Sequence, residues 1–236
     1  MASALITNVH YVDPVLPEQL PLSIIEKADA LPAKVAFLDG ILAAETGARL
    51  ARLLQITNSY YSNMIEGQFT ELADMQRAQN TPRRERQQLQ DLAIKHMEVQ
   101  LLLERATRIS PRTFSDMLDT RLLCAVHSRL FDGASEATLR LSDGRIMVPG
   151  QLRAQPNEEV RVGNHEAPAA SAVSAILTHL QTSYGQNKDA RRQLISALAY
   201  HHRLAWTHPF IDGNGRVTRM MTHLQLLQLG LRPHLW

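Results

Sequence analysis

The 236-residue sequence has one cysteine, Cys124, so no intrachain disulfide can form and nothing in its composition points to an oxidising compartment. Cys124 stands in the apolar run Leu122-Leu123-Cys124-Ala125-Val126, where a small buried hydrophobe is expected rather than a nucleophile. Aromatic residues are scarce, at 5% against 44% hydrophobic overall, so the core must come from Leu, Ile, Val, Ala and Met, as in helical proteins. No segment approaches the roughly 18 apolar residues of a membrane span, and the first residues show no basic stretch followed by an apolar one. A cytoplasmic protein with no membrane partner is the default expectation. Charge of one sign is lacking too. Against 25 Lys and Arg stand 23 Asp and Glu, and the resulting +2 does not indicate a nucleic-acid partner. The cluster Arg83, Arg84 and Arg86 reads more economically as a solvated helix start. Internal repeats and low-complexity runs are absent.

What is present is helical periodicity broken by turn residues. Residues 1 to 32 hold Pro14, Pro17, Pro21 and Pro32 around one short apolar segment and read as an irregular arm, with 1–41 set apart from a main domain over 42–236. From Leu42 to Glu66, Leu50, Leu53, Leu54, Met64 and Ile65 recur at roughly helical spacing and Gly67 supplies a stop, giving one long helix or two shorter ones. Pro82 can open the next, with Leu89, Leu92, Ala93, His96, Met97 and Leu103 as its stripe. Ser110-Pro111 is expected to cap a third, with Phe114, Met117, Leu118, Leu122, Ala125 and Val126 on one face. Between Gly133 and Pro168, turn pairs such as Asp143-Gly144, Pro149-Gly150 and Gly163-Asn164 punctuate short segments, and Val160 and Val162 alternate with polar neighbours, predicting loops with a small hairpin. Pro168 opens a helix ending near Gly185, another runs from about Asp189 to Trp206, and a last one carries Val217, Met220, Met221, Leu224 and Leu227. The fold class is therefore mainly α.

Between the last two helices lies the densest chemistry in the chain: His208-Pro209-Phe210-Ile211-Asp212-Gly213-Asn214-Gly215-Arg216, with Arg219 three residues on. A Gly-Asn-Gly turn leading into a helix exposes unpaired N–H groups, and these attract phosphate. His201, His202 and His208 do not suggest zinc, because adjacent histidines on a helix point about 100° apart and no carboxylate sits at a matching ligand spacing.

This stretch resembles the core motif of the Fic family, His-x-Phe-x-Asp/Glu-Gly-Asn-Gly-Arg-x-x-Arg, at every specified position from His208 to Arg219. The resemblance implies a Fic-type helical bundle with a hairpin flap beside the active site. It also implies a nucleotidyltransferase that moves AMP from ATP to the hydroxyl of a Ser, Thr or Tyr on a target protein, with self-modification and a homodimer as further partners to consider. His208 would be the general base. Asp212 would offer a hard oxygen to Mg²⁺. Gly213, Asn214 and Gly215 would cradle the phosphates, with Arg216 and Arg219 reaching them from one side, while Phe210 anchors the turn in the core.

Upstream, Ser62-Asn63-Met64-Ile65-Glu66-Gly67 resembles the family's inhibitory motif, Ser/Thr-x-x-x-Glu-Gly/Asn, on a helix spanning about 42–67. The resemblance implies that Glu66 pairs with Arg219 and denies it to the γ-phosphate. Pro149-Gly150-x-x-Arg153, Val160 and Gly163 resemble the flap, over about 149–166, which holds the target as an added strand. The proline-rich stretch common after the flap is reduced here to His165-Glu166-Ala167-Pro168. Alternatives within the fold are removal of AMP or transfer of another nucleotide. From another class comes a nucleotide-sensing module that does not turn over, although a pure sensor needs no base. The unaltered Gly-Asn-Gly-Arg speaks against phosphorylation of the Doc type. Residues Leu229 to Trp236 end in an apolar run where family cores commonly continue, so a fragment of a longer protein is expected.

Overall fold

The computed structural model describes residues 5–13, 20–82, 85 and 88–231. Among them the order is α1 (Leu22–Ile41), α2 (Ala44–Ile65), α3 (Leu72–Gln79), α4 (Gln88–Ile109), α5 (Thr120–Leu130), α6 (Glu136–Leu139), β1 (Arg161–Val162), β2 (His165–Glu166), α7 (Val173–Gly185), α8 (Ala190–Thr207) and α9 (Asn214–Gln228). Short polar side chains fix several starts. Asp119 accepts from the Arg121 N–H at 2.7 Å to begin α5. Asp189 accepts from the Arg191 and Arg192 N–H groups at 2.9 and 3.1 Å to begin α8. Each such cap satisfies first-turn amides that the helix cannot, worth about 1 kcal/mol.

The core forms around α9, whose Val217, Met220, Met221 and Leu224 meet Leu123 and Val126 of α5, Ile176, Leu177 and Leu180 of α7, and Ala197, Tyr200 and Leu204 of α8. Apolar burial on nearly all sides makes α9 the central helix and gives its N-terminus a rigid mount. The strands pair antiparallel with Arg161 opposite Glu166 and Val162 opposite His165, and Gly163 takes the positive φ of 58° that the tight turn needs. No helix among the described residues is long and apolar enough to cross a membrane.

The structure corrects several expectations. Over Leu22–Ile41 the arm is not irregular: it is a 20-residue helix packed on α8, with Pro32 inside it and Pro21 at its N-cap position. Pro14, Pro17, the arginine cluster 83, 84 and 86, and residues 232–236 lie outside the described residues. The stretch 42–66 folds as one helix, but its buried face is not the apolar stripe. Leu53 and Ile65 are exposed, whereas Asn58, Ser59, Ser62 and Asn63 are buried. This polar face is held by directed bonds such as Ser59 Oγ donating to the Ala93 C=O of α4 at 2.6 Å. Ser110-Pro111 ends α4 instead of opening α5, because Thr113 and Asp116 hydrogen-bond each other's backbone N–H and wind that segment into a turn that buries Phe114, Met117 and Leu118. The short helix α3 was not anticipated.

Candidate active site

His208 terminates α8 in the left-handed conformation, φ 47° and ψ 66°, and is the lone non-glycine with positive φ among the described residues. Such strain persists only where the surroundings enforce it. They do so here. Arg153, almost fully buried, donates from Nε to the His208 C=O at 2.5 Å and from Nη2 to the C=O groups of Thr207 and Pro168 at 2.9 and 2.5 Å. Its own N–H donates to the Pro209 C=O at 2.9 Å. Arg153 is thus not on the edge of the flap, as its place in the flap motif suggested, but a buried tie between the flap's root and the motif turn. Burial lowers its pKa, with Glu159 opposing.

The His208 Nδ1–H donates to the Ala205 C=O at 2.5 Å, which leaves the lone pair on Nε2. Burial also pushes this imidazole below its ordinary range, so the neutral form is favoured. Phe210 is fully buried, and the Asn214 amide closes the loop on it, accepting from the Phe210 N–H at 2.9 Å and donating to its C=O at 2.8 Å. Asn214 therefore shapes the turn. Gly213 has φ 77°, and a Cβ there would lie 2.6 Å from Phe131 Cε2, so a side chain at this position is barred twice. The Asp212 carboxylate accepts the Gly213 N–H at 2.6 Å through Oδ1.

Sequence reasoning missed His127, on α5. The Gly150 N–H donates to its Nδ1 at 2.8 Å, so Nε2 carries the proton and donates to the Asp212 C=O at 3.0 Å. The ring stacks on Phe210 with centroids 3.9 Å apart. Flap root and motif loop are thus joined through one neutral imidazole, whose pKa is pushed down to about 4, chiefly by burial. Its i,i+4 partner Phe131 stacks under the Arg216 guanidinium at 4.6 Å. The sequence signal was a histidine one step beyond the core position Val126, and local pattern does not tell it from a satisfied core residue.

Two buried neutral histidines give a pH dependence. His127 and His96, the latter held at about 3 by burial and then by Arg219 and Arg216, refuse a proton that the unfolded chain accepts near pH 6.5. Below 6.5 the unfolded state binds more protons, so stability falls as pH drops toward the folded values. The expected loss between pH 7 and pH 5 is on the order of 2 kcal/mol per imidazole. It is read as a falling urea midpoint, and a flat midpoint over this window would contradict the neutral assignments.

At the start of α9, Gly213 provides no side-chain cap, and the first-turn N–H groups face outward as an anion seat. Glu66 lies beside it, against Gly215. Its Oε1 accepts from Arg219 Nη2 at 2.6 Å and would lie 2.0 Å from a Cβ built on Gly215. Arg219 also donates from Nε to Ser62 Oγ and from Nη2 to the Ser62 C=O, both at 2.9 Å. Glu66 ends α2, where the dipole disfavours a carboxylate by up to about 1 kcal/mol. The charge-assisted bonds to Arg219 contribute about 1.5–3 kcal/mol, so they prevail. Gly67, at φ 76°, turns the chain away at once.

The two arginines, expected to reach from one side, take different hydrogen-bond partners in this structure. Arg216 is buried, donates from Nη1 to Gln68 Oε1 at 3.1 Å, and keeps a buried Nε without a partner. Burial lowers its pKa, with Asp212 and Glu66 opposing. On the other side His165 of β2 bonds the Trp206 C=O at 2.7 Å, its ring 6.2 Å from that of His208, so the hairpin stands beside the turn. Val160 accepts from the Ala167 N–H at 3.1 Å and extends the hairpin by one pairing. A cavity of about 500 Å³ lies behind α2, lined by residues including Asn58, Gln100, Glu104 and His223.

The Fic/DOC family model matches residues 117–226. Proteins named protein adenylyltransferase Fic are similar over a short stretch: that of Drosophila persimilis is 29% identical over 76 residues and that of Aedes aegypti 32% identical over 77. Each match covers 32% of this chain and 15% of the relative, so the chain matches only a small part of their length. Among solved structures, a Fic family protein from Desulfovibrio desulfuricans superposes with a TM-score of 0.61 at 20% identity, over 89% of this chain and 59% of that one. A Fic domain-containing signalling protein from Bacteroides thetaiotaomicron gives 0.64 at 16% identity, over 88% and 73%. Residues 117–226 thus match the Fic/DOC family model, and the chain shares the fold of these Fic-family structures.

Proposed function

We propose that this chain is a protein adenylyltransferase, transferring AMP from ATP to a Ser, Thr or Tyr hydroxyl of a target protein, restrained by Glu66. The observation that carries the reading is the Glu66 carboxylate held by Arg219 against Gly215. A site that holds one carboxylate on a guanidinium, beside the uncapped start of a helix, has the chemistry to hold phosphate oxygens instead. The unpartnered Nε of Arg216 is a second vacant donor there.

The reaction proceeds by attack of the target oxygen on the α-phosphorus. The new O–P bond forms, the bond to the β-phosphate bridging oxygen breaks, and pyrophosphate leaves. His208 Nε2, unprotonated because Nδ1 is engaged at Ala205, takes the hydroxyl proton. Asp212 would hold a Mg²⁺ ion through a hard carboxylate oxygen. When bound, the ion would neutralise charge on the leaving pyrophosphate. Arg153 and His127 hold the turn while the hairpin β1–β2 presents an exposed edge to the target backbone.

The test uses ATP labelled at either the α- or the γ-phosphate, incubated with the Glu66→Gly variant and a cell lysate. Above the label that the lysate acquires without the chain, protein-bound label is expected from the α position and not from the γ. Label from γ would make the chain a kinase. No label from either, with ATP bound, would leave a sensing module and overturn the reading.

A further inference from the structure

Away from the motif turn, Asp13 lies between two imidazoles from distant parts of the chain. His10 Nδ1 approaches its carboxylate oxygens at 3.0 and 3.3 Å. His179 Nε2, projecting from α7, contacts Asp13 Oδ1. A ligand atom from each residue lies within 4.8 Å of the other two.

The backbone carrying this group is anchored independently of it. The Ile6 C=O accepts from the Ala169 N–H at 2.8 Å, Arg203 Nη2 donates to the Asp13 C=O at 3.1 Å, and Val12 is fully buried. Asn8 caps the 3₁₀ turn Val9–Val12 by accepting from the His10 N–H at 3.0 Å, and this turn sets His10 and Asp13 on one side.

We propose that His10, Asp13 and His179 bind a borderline transition-metal cation, Zn²⁺ being the first choice, which clamps the N-terminal segment to α7. Two imidazole nitrogens and one carboxylate oxygen, with solvent free to supply a fourth ligand, suit zinc, whereas Mg²⁺ and Ca²⁺ prefer oxygen throughout. Two ligands 2.0–2.1 Å from a tetrahedral ion stand about 3.3 Å apart. The widest separation here, at most 4.8 Å, closes by side-chain rotation of the exposed His10 without moving backbone. The site is separate from Asp212 and draws on none of the motif residues.

Occupancy would reach the active site through Tyr11, between the two N-terminal ligands. Its ring stacks on Trp206 at 6.4 Å and 4°, and the Trp206 C=O accepts the His165 bond beside His208. The metal would hold Tyr11 on Trp206 and stiffen the root of the hairpin.

The experiment is calorimetric titration of the chain with ZnCl₂ at pH 7.5 in excess Mg²⁺, with tryptophan fluorescence followed in parallel. One Zn²⁺ per chain is expected at micromolar or tighter affinity, with a fluorescence change. His10→Ala and His179→Gln should each weaken it roughly tenfold or more. His10 is exposed, so its removal leaves the fold intact, as circular dichroism would verify. No stoichiometric binding, or binding unchanged in either variant, would overturn the proposal and reduce the cluster to an ion-pair clasp.

Discussion

Glu66→Gly is expected to raise AMP incorporation by about 10- to 100-fold over the wild-type chain, because a rate factor of that size follows from roughly 1.4–2.8 kcal/mol. The Arg219–Glu66 pair is partly exposed, with side chains 11% and 24% accessible, and this keeps the expected gain at the scale of one strong charge-assisted bond. Ser62 still engages Arg219 from two atoms after the substitution, so α2 stays docked and the gain is not the result of unfolding. A conservative Glu66→Gln keeps the bulk and one acceptor while losing the charge, and should give an intermediate gain. The comparison is incorporation of α-labelled phosphate at equal protein and ATP. Equal rates for wild type and Glu66→Gly would remove the inhibitory role.

His208→Ala in the same released background is expected to lower transfer by about 10²- to 10⁴-fold, the usual worth of a positioned general base. ATP affinity should hold, since the anion seat at Gly215 and Arg219 is built from other residues. The pH profile gives an independent readout. The neutral imidazole is the active form, and burial favours it, so the acid limb of the Glu66→Gly rate should fall with a midpoint below 6.5. A midpoint above 6.5, or transfer surviving in His208→Ala, would move the base elsewhere.

The turn and both its flanking helices were legible because their chemistry is contiguous: a glycine where φ must be positive, a buried phenylalanine, and an apolar run behind. Glu66 was legible through Gly67 and a helical pattern, but its partner lies 153 residues away and no local spacing specifies that. The family resemblance supplied it. Residues 22–41 were illegible for a physical reason: α1 buries only Ala28, so its pattern carries little imprint of a neighbour, and Pro32 within it and Pro21 before it speak for a loop. On α2 the buried face holds Asn58, Ser59, Ser62 and Asn63 beside a single apolar residue, Ile56, so no apolar stripe marks it. Arg153 and His127 share one difficulty. Each is a polar residue whose partners are mostly backbone carbonyls and amides of another segment, and composition says nothing about those.

On this reading, the missing side chain at Gly215 makes one chair serve two sitters. Any atom added there evicts Glu66 and narrows the phosphate's place in the same stroke, so release and incapacity arrive together. Release that spares the site is therefore open to a change at Glu66 and closed to added bulk at Gly215, and the restraint can be lost in sequence without a trace on the motif itself.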